Sequence, residues 1–154
     1  MNAENLPVVC MIPGDLHLTE AGLPNHKTAI WAVEQANDFI RPDFVQFIGD
    51  NVQDATDEQF DLFRDLTRKL NCPWQALVGD HDAQGDPLAS AFRDRVGDPY
   101  GSLRLHGFRF LRLNTQDGRA VGLSDTQLDW FRSEVDAAMA AEERTVVFQH
   151  NYPY

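Results

Sequence analysis

The chain is short of cations, of cysteine and of long apolar runs, and each shortage closes off a class of function. Lys and Arg number 13 against 24 Asp and Glu, a formal net charge of -11 at pH 7 over 154 residues. Gripping a nucleic-acid backbone takes Lys and Arg to displace counterions, so general duplex binding is excluded. A bound metal could still present local positive charge on so acidic a surface. The two cysteines, Cys10 and Cys72, lie in or beside apolar strand-like runs without CxxC spacing. They read as buried reduced thiols, with no disulfide or metal role. No apolar run is long enough to span a bilayer. The opening Met1-Asn2-Ala3-Glu4-Asn5 is polar and acidic, without the basic flank and apolar core of a secretory signal, so the expected location is cytoplasmic. There is no internal repeat, low-complexity tract or linker, and the length suits one domain with a sizeable core.

Strand-like and helix-like segments alternate through the first half. Pro7 to Ile12 is a short apolar run ending at Pro13-Gly14. Asn25 to Ile40 has Ile30, Val33, Ala36 or Asn37, and Ile40 near helical spacing, with Asn25 as expected N-cap and Arg41-Pro42 as the stop. Phe44 to Ile48 is a second strand. Thr56 to Leu70 is a helix with Phe60, Phe63, Leu66 and Leu70 on one face. Trp74 to Val78 is the third strand. That order implies right-handed parallel crossovers and an α/β fold. Afterwards the period changes: Leu103 to Leu105 and Phe108 to Leu113 alternate apolar with polar around His106-Gly107, which predicts a hairpin with one covered and one wet face. Ser124 is the expected N-cap of a helix presenting Leu128, Phe131, Val135 and Met139, and Thr145 to Phe148 is a final strand. The closing Asn151 to Tyr154 is neither a helix nor a strand end that would close a domain. Trp31, Trp74 and Trp130 fall on these elements and read as core residues.

The residues just past the end of each strand carry the chemistry. The first strand leads to Gly14-Asp15-Leu16-His17 and the second to Gly49-Asp50-Asn51. The third leads to Gly79-Asp80-His81-Asp82 and the last to Gln149-His150-Asn151. Ligands of open parallel sheets bind outside the carboxyl ends of the strands, where these four sets would converge. Asp-x-His on an extended segment puts a carboxylate and an imidazole on one side, able to grip one ion. Mixed oxygen and nitrogen donors suit Zn, Mn or Fe better than Ca or Mg. A carboxylate such as Asp50 has two oxygens and can bridge two ions, which together clamp the attacking and leaving oxygens of a displacement at phosphorus. Taken singly, each motif is a commonplace turn or solvated loop. Four in order, each at the end of an apolar strand, are a pattern.

That pattern resembles the calcineurin-like metallophosphoesterase family over essentially the whole chain. The family's motifs run Asp-x-His, Gly-Asp-x, Gly-Asn-His-Asp/Glu, a later His, and finally Gly-His-x-His. The resemblance implies an αββα sandwich and two divalent or trivalent ions, from among Mn, Fe, Zn and Co. It makes Asp15 and His17 ligands of the first ion, Asp50 the bridge, and Asp80 and His150 ligands of the second. It makes His81 a general acid or phosphate contact, with Asp82 orienting that imidazole. The implied activity is hydrolysis of small phosphodiesters or cyclic nucleotides by a metal-activated hydroxide.

This sequence departs from the family pattern twice. Asp80 stands where the family has Asn, which adds a negative charge and removes an amide donor. Nothing matches Gly-His-x-His. His26, at a helix start, and His106, at a hairpin turn, are the remaining histidines, and both read as exposed. The expectation is therefore one metallophosphoesterase domain over residues 1–154, truncated at its C-terminus and lacking the last strands of its second sheet. Apolar faces and strand edges would then be open, and an oligomer or swapped partner could cover them. The alternative reading is a non-catalytic, metal-binding relative.

Overall fold

The computed structural model describes residues 6–117 and 122–151. The opening pentapeptide and Tyr152 to Tyr154 lie outside the described residues. Two three-stranded sheets form the centre. In the first, β1 (Cys10–Met11), β2 (Phe44–Phe47) and β3 (Trp74–Ala76) run parallel in that order, with Cys10 opposite Phe44 and Val45 opposite Trp74. The α/β fold and the parallel crossovers are as the sequence implied.

The crossovers are α1 (Pro24–Gln35) and α2 (Asp57–Thr67), and two short helices, α3 (Asp80–Ala83) and α4 (Ser90–Arg95), follow β3. Thr56 caps α2, accepting from the Gln59 amide, and Phe60, Phe63 and Leu66 are buried on its inner face. At α1, Leu23 rather than Asn25 occupies the cap position, and Pro24 opens the helix with a φ already suited to it. The helix ends in a wider π-turn, Ala36–Ile40, closed by Arg41 in the left-handed region. The extra residue takes Ile40 off the buried face expected for it, and both Phe39 and Ile40 are exposed. Trp31 is 58% exposed, against the expectation of a core residue: α1 buries Ala29 and Val33, and position 31 lies on the other side of the turn.

The first apolar run forms a strand only at Cys10–Met11. Pro7 and Pro13 have no amide to give a ladder, and β1 is an edge. Contact with the second strand segment continues nonetheless. Ile48 donates to Pro13, Asp15 to Gly49, His17 to Asp50, and Leu18 to Asn51, at 2.9–3.2 Å. This ladder beyond the strands aligns the first two motifs side by side.

The second sheet has the order β4 (Gly101–Leu105), β5 (Phe108–Arg112), β6 (Arg144–Phe148). β4 and β5 form the expected hairpin, its turn made by His106 and Gly107, both at positive φ. β5 and β6 are parallel, joined through α5 (Asp125–Ala140), which Ser124 caps. The predicted wet face does not exist on β5, where Arg109, Phe110 and Leu111 are all buried. Phe110 meets Phe44 of the first sheet at 4.8 Å between ring centroids. On the opposite face Arg109 pairs with Glu134 of α5 at 3.1 Å and with Glu143 at 2.8 Å. The polar residue of the alternation is thus ion-paired under a helix. For the same reason α5 presents Gln127 and Ala138 inward and leaves Met139, expected on the apolar face, 73% exposed. Helices, sheet, sheet and helix make a four-layer sandwich, with the main core between α1, α2 and the first sheet.

Candidate metal centre

The strand ends bring six of the seven proposed site residues into one cluster. Within each of two groups the potential ligand atoms lie no more than 4.8 Å apart: His17, Asp50 and His81; and Asp15, Asp50 and His150. Asp50 belongs to both. Its Oδ2 lies 3.6 Å from Nε2 of His17, and its Oδ1 lies 3.5 Å from Nε2 of His150. Asp80 joins at 3.4 Å from the same nitrogen of His150. The partners differ from those the resemblance implied: Asp15 stands with His150, and His81 stands with His17, their rings edge to face at 4.7 Å. Among the described residues, neither group includes His26 or His106.

Local backbone explains the convergence. Asp15, His17 and Asp50 all have φ between 44° and 53°, a left-handed conformation that non-glycine residues avoid. Such strain persists only where surrounding contacts over-determine it, and it concentrates at functional sites. Here the contacts are the ladder from loop to loop and the side chain of Asn25, whose amide donates to the carbonyls of Leu16 and His17 at 3.3 and 2.5 Å. Two glycines are there for clearance. A Cβ on Gly79 would overlap the carboxylate and backbone nitrogen of Asp50, and one on Gly49 would overlap the imidazole of His150.

Asp82, given by the resemblance as the residue orienting His81, is placed elsewhere. It is buried, and its oxygens accept from the amides of Gly79, Asn51 and Val52 and from the side chain of Asn51, at 2.9–3.2 Å. It ties the second and third motifs together. Burial pushes its carboxyl up to about 6, while those N–H donors pull the other way. The imidazole of His81 is held instead by Gln53, whose carbonyl lies 2.7 Å from Nδ1 and whose side chain lies 3.0 Å from the same atom. That carbonyl raises the pKa of His81; burial opposes it, and Asp50, Asp80 and Asp82 add to the rise. Nδ1 of His150 faces the Ile48 carbonyl at 2.8 Å, which leaves Nε2 for the cluster. The motifs do not single out Gln53. Neither do they point to Asn25 as the brace of the first motif.

The donor set fits cations. Among the described residues, no Lys or Arg pairs with Asp15, Asp50 or Asp80 within 4.0 Å; the contacts are imidazoles. Asp50 is 5% exposed, and among the described residues its carboxylate receives one hydrogen bond, from the His81 amide at 3.1 Å. A buried carboxylate so thinly supported calls for a positive partner. Nδ1 of His17 is likewise buried without a hydrogen-bond partner among the described residues.

Residues 11–154 match the calcineurin-like phosphoesterase family. The chain belongs to that family. Similar proteins include rat tartrate-resistant acid phosphatase type 5, 27% identical over 72% of this chain and 44% of its own length. A probable glycerophosphodiester phosphodiesterase of Arcobacter nitrofigilis is 26% identical over 73% of this chain and 43% of its own. The chain thus spans less than half the length of these curated relatives. Among solved structures, a dimetal phosphatase from Danio rerio superimposes with a TM-score of 0.68 at 13% identity, covering 93% of this chain and 69% of that one. That likeness is one of fold, and it places the two sheets and their helices within the calcineurin-like architecture.

Proposed function

We propose that this chain supplies the metal-holding part of a binuclear phosphohydrolase acting on small phosphodiesters. The observation that carries the reading is Asp50, buried, with one carboxylate oxygen toward His17 and the other toward His150, whose Nε2 Asp80 also approaches. Asp15, His17, Asp50, Asp80 and His150 are the residues that would hold two ions, with His81 beside them. Such ions supply positive charge for phosphoryl oxygens and lower the pKa of a bound water. The chain's own residues do the rest. Gln53 occupies Nδ1 of His81 and leaves Nε2 to donate to a leaving oxygen or a phosphoryl oxygen. Asp82 holds the backbone of the second and third motifs in register, so that Asp50 and Asp80 face the same point.

Likeness to a glycerophosphodiester phosphodiesterase supports the diester, and likeness to an acid phosphatase supports a monoester as the second reading. The test is hydrolysis of bis(p-nitrophenyl) phosphate and of p-nitrophenyl phosphate with Mn added, by the native protein and by Asp50→Asn. The diester reading expects faster cleavage of the first substrate and loss of at least 100-fold in the variant, on the order of a removed electrostatic contact. Faster cleavage of the second supports the monoesterase, and cleavage of neither refutes the hydrolase.

A further inference from the structure

A groove of about 820 Å³ opens between the segment that follows the third motif and the loops of the second sheet, and none of the four motifs contributes to it. Its walls include Leu88, Tyr100, Asp117, Ser124, Thr126 and Trp130. Topology puts it on the same edge of the molecule as the metal cluster. Leu88 follows the short helix α3 (Asp80–Ala83), which carries Asp80 and His81. Tyr100 precedes Gly101, which pairs with Arg112 at the carboxyl end of β5, and Arg112 in turn pairs with Phe148, two residues before His150. Arg112 also donates to the carbonyls of Ala76 and Asp98, tying the first sheet to the groove's rim. Thr115 and Gln116, just before Asp117, donate to the side chain of Asn151 next to His150.

The lining has a definite chemistry. Tyr100 and Trp130 are half-buried, their centroids 4.9 Å apart and their planes at 53°, so that they form one aromatic wall. The carboxylate of Asp117 is held in place by the Ser124 hydroxyl and by Nε2 of Gln127 at 2.9 Å. It is a fixed acceptor, and Thr126 offers a hydroxyl nearby. The charges on the lining are one guanidinium, Arg93, against the carboxylates of Asp98 and Asp117, so no surplus of positive charge gathers for a second phosphate. An aromatic wall suits a flat ring, since every base has a π-face to stack. A fixed carboxylate suits sugar hydroxyls, which donate to it.

We propose that this groove binds the nucleoside moiety of a nucleotide ester, with the base on Tyr100 and Trp130 and the sugar hydroxyls on Asp117. The assignment rests on the phosphohydrolase reading for the phosphate, but the nucleoside contacts are independent of any metal. The test is calorimetric titration of adenosine, which has no phosphate, into the native chain and into Tyr100→Leu, Trp130→Leu, Trp130→Phe and Asp50→Asn. The proposal expects adenosine to bind the native protein and Asp50→Asn alike. It expects binding to weaken about tenfold in each leucine variant, the scale of a lost base–aromatic stack, and to hold within about threefold in Trp130→Phe. Should Trp130→Leu fail to fold, Tyr100→Leu carries the test. No binding of adenosine, or binding that ignores both leucine variants, overturns the proposal; so does a preference for glucose over adenosine. Loss of binding in Asp50→Asn would place the ligand at the metal cluster and overturn it as well. Failure of the hydrolase reading would show as absent phosphoester cleavage with adenosine binding intact.

Discussion

Replacing Gly79 with alanine tests whether the metal cluster depends on backbone clearance. The new methyl would stand 2.9 Å from the carboxyl carbon of Asp50, and closer still to its Oδ1 and backbone nitrogen. Ordinary contact begins at about 3.4 Å, so Asp50 has to retreat by roughly half an ångström or more. Neither side is free to move. The Gly79 amide donates to Asp82 at 2.9 Å, and Asp50 accepts from the His81 amide at 3.1 Å. Overpacking of this kind costs about 1–3 kcal/mol. For a chain of this length that lowers the melting temperature by about 3–10 °C. The displaced carboxylate is the one shared by both ligand groups, so affinity for Mn or Zn should fall about 10- to 100-fold, the range seen when metal ligands lose their support. Thermal unfolding followed by circular dichroism and calorimetric metal titration read the two effects. An unchanged melting temperature with unchanged metal affinity would refute the reasoning, because it would mean that Gly79 and Asp50 are not in contact.

Asp82→Ala removes the acceptor of three backbone amides and one side-chain amide. Each orphaned donor costs about 1–3 kcal/mol, and relief of the buried charge, about two pKa steps or ~3 kcal/mol, returns only part. A net loss of at least about 1 kcal/mol is expected in urea unfolding, and a variant as stable as the native protein contradicts it. The imidazole of His81 should titrate above its ordinary 6.5 in NMR of the metal-free protein, because the Gln53 carbonyl favours the protonated ring. Its contribution to stability is then present below pH 6.5 and lost as pH rises through the raised value; titration at or below 6.5 would remove Gln53 from this role. Asp80→Asn removes a charge beside His150, so metal should bind more weakly and turnover should rise; no change in either would sink the idea that this charge tunes the site.

The cluster was legible in the sequence because its ligands come directly after apolar strands, and parallel strands deliver their carboxyl ends to one edge. Pairing within the cluster was not, because it depends on the left-handed turns at Asp15, His17 and Asp50. The role of Gln53 was also hidden: its contact with His81 spans 28 residues, and part of it is a backbone carbonyl that every residue possesses. Helix faces were misread where polar residues go inward. Gln127 is fully buried because it bonds the backbone of Asn114 in both directions, and that rotates α5 enough to expose Met139. The hairpin was legible to the residue at its turn, yet alternation suggested a wet face where Arg109 is enclosed by two glutamates.

The central claim is that Asp50 joins two cation sites. Equilibrium dialysis against Mn or Zn, with metal per chain read by mass spectrometry, tests it most directly on the native protein and on Asp50→Ala. The account predicts two ions per chain in the native protein and fewer than one in the variant. Two ions retained by Asp50→Ala, or none bound by the native protein, would contradict it.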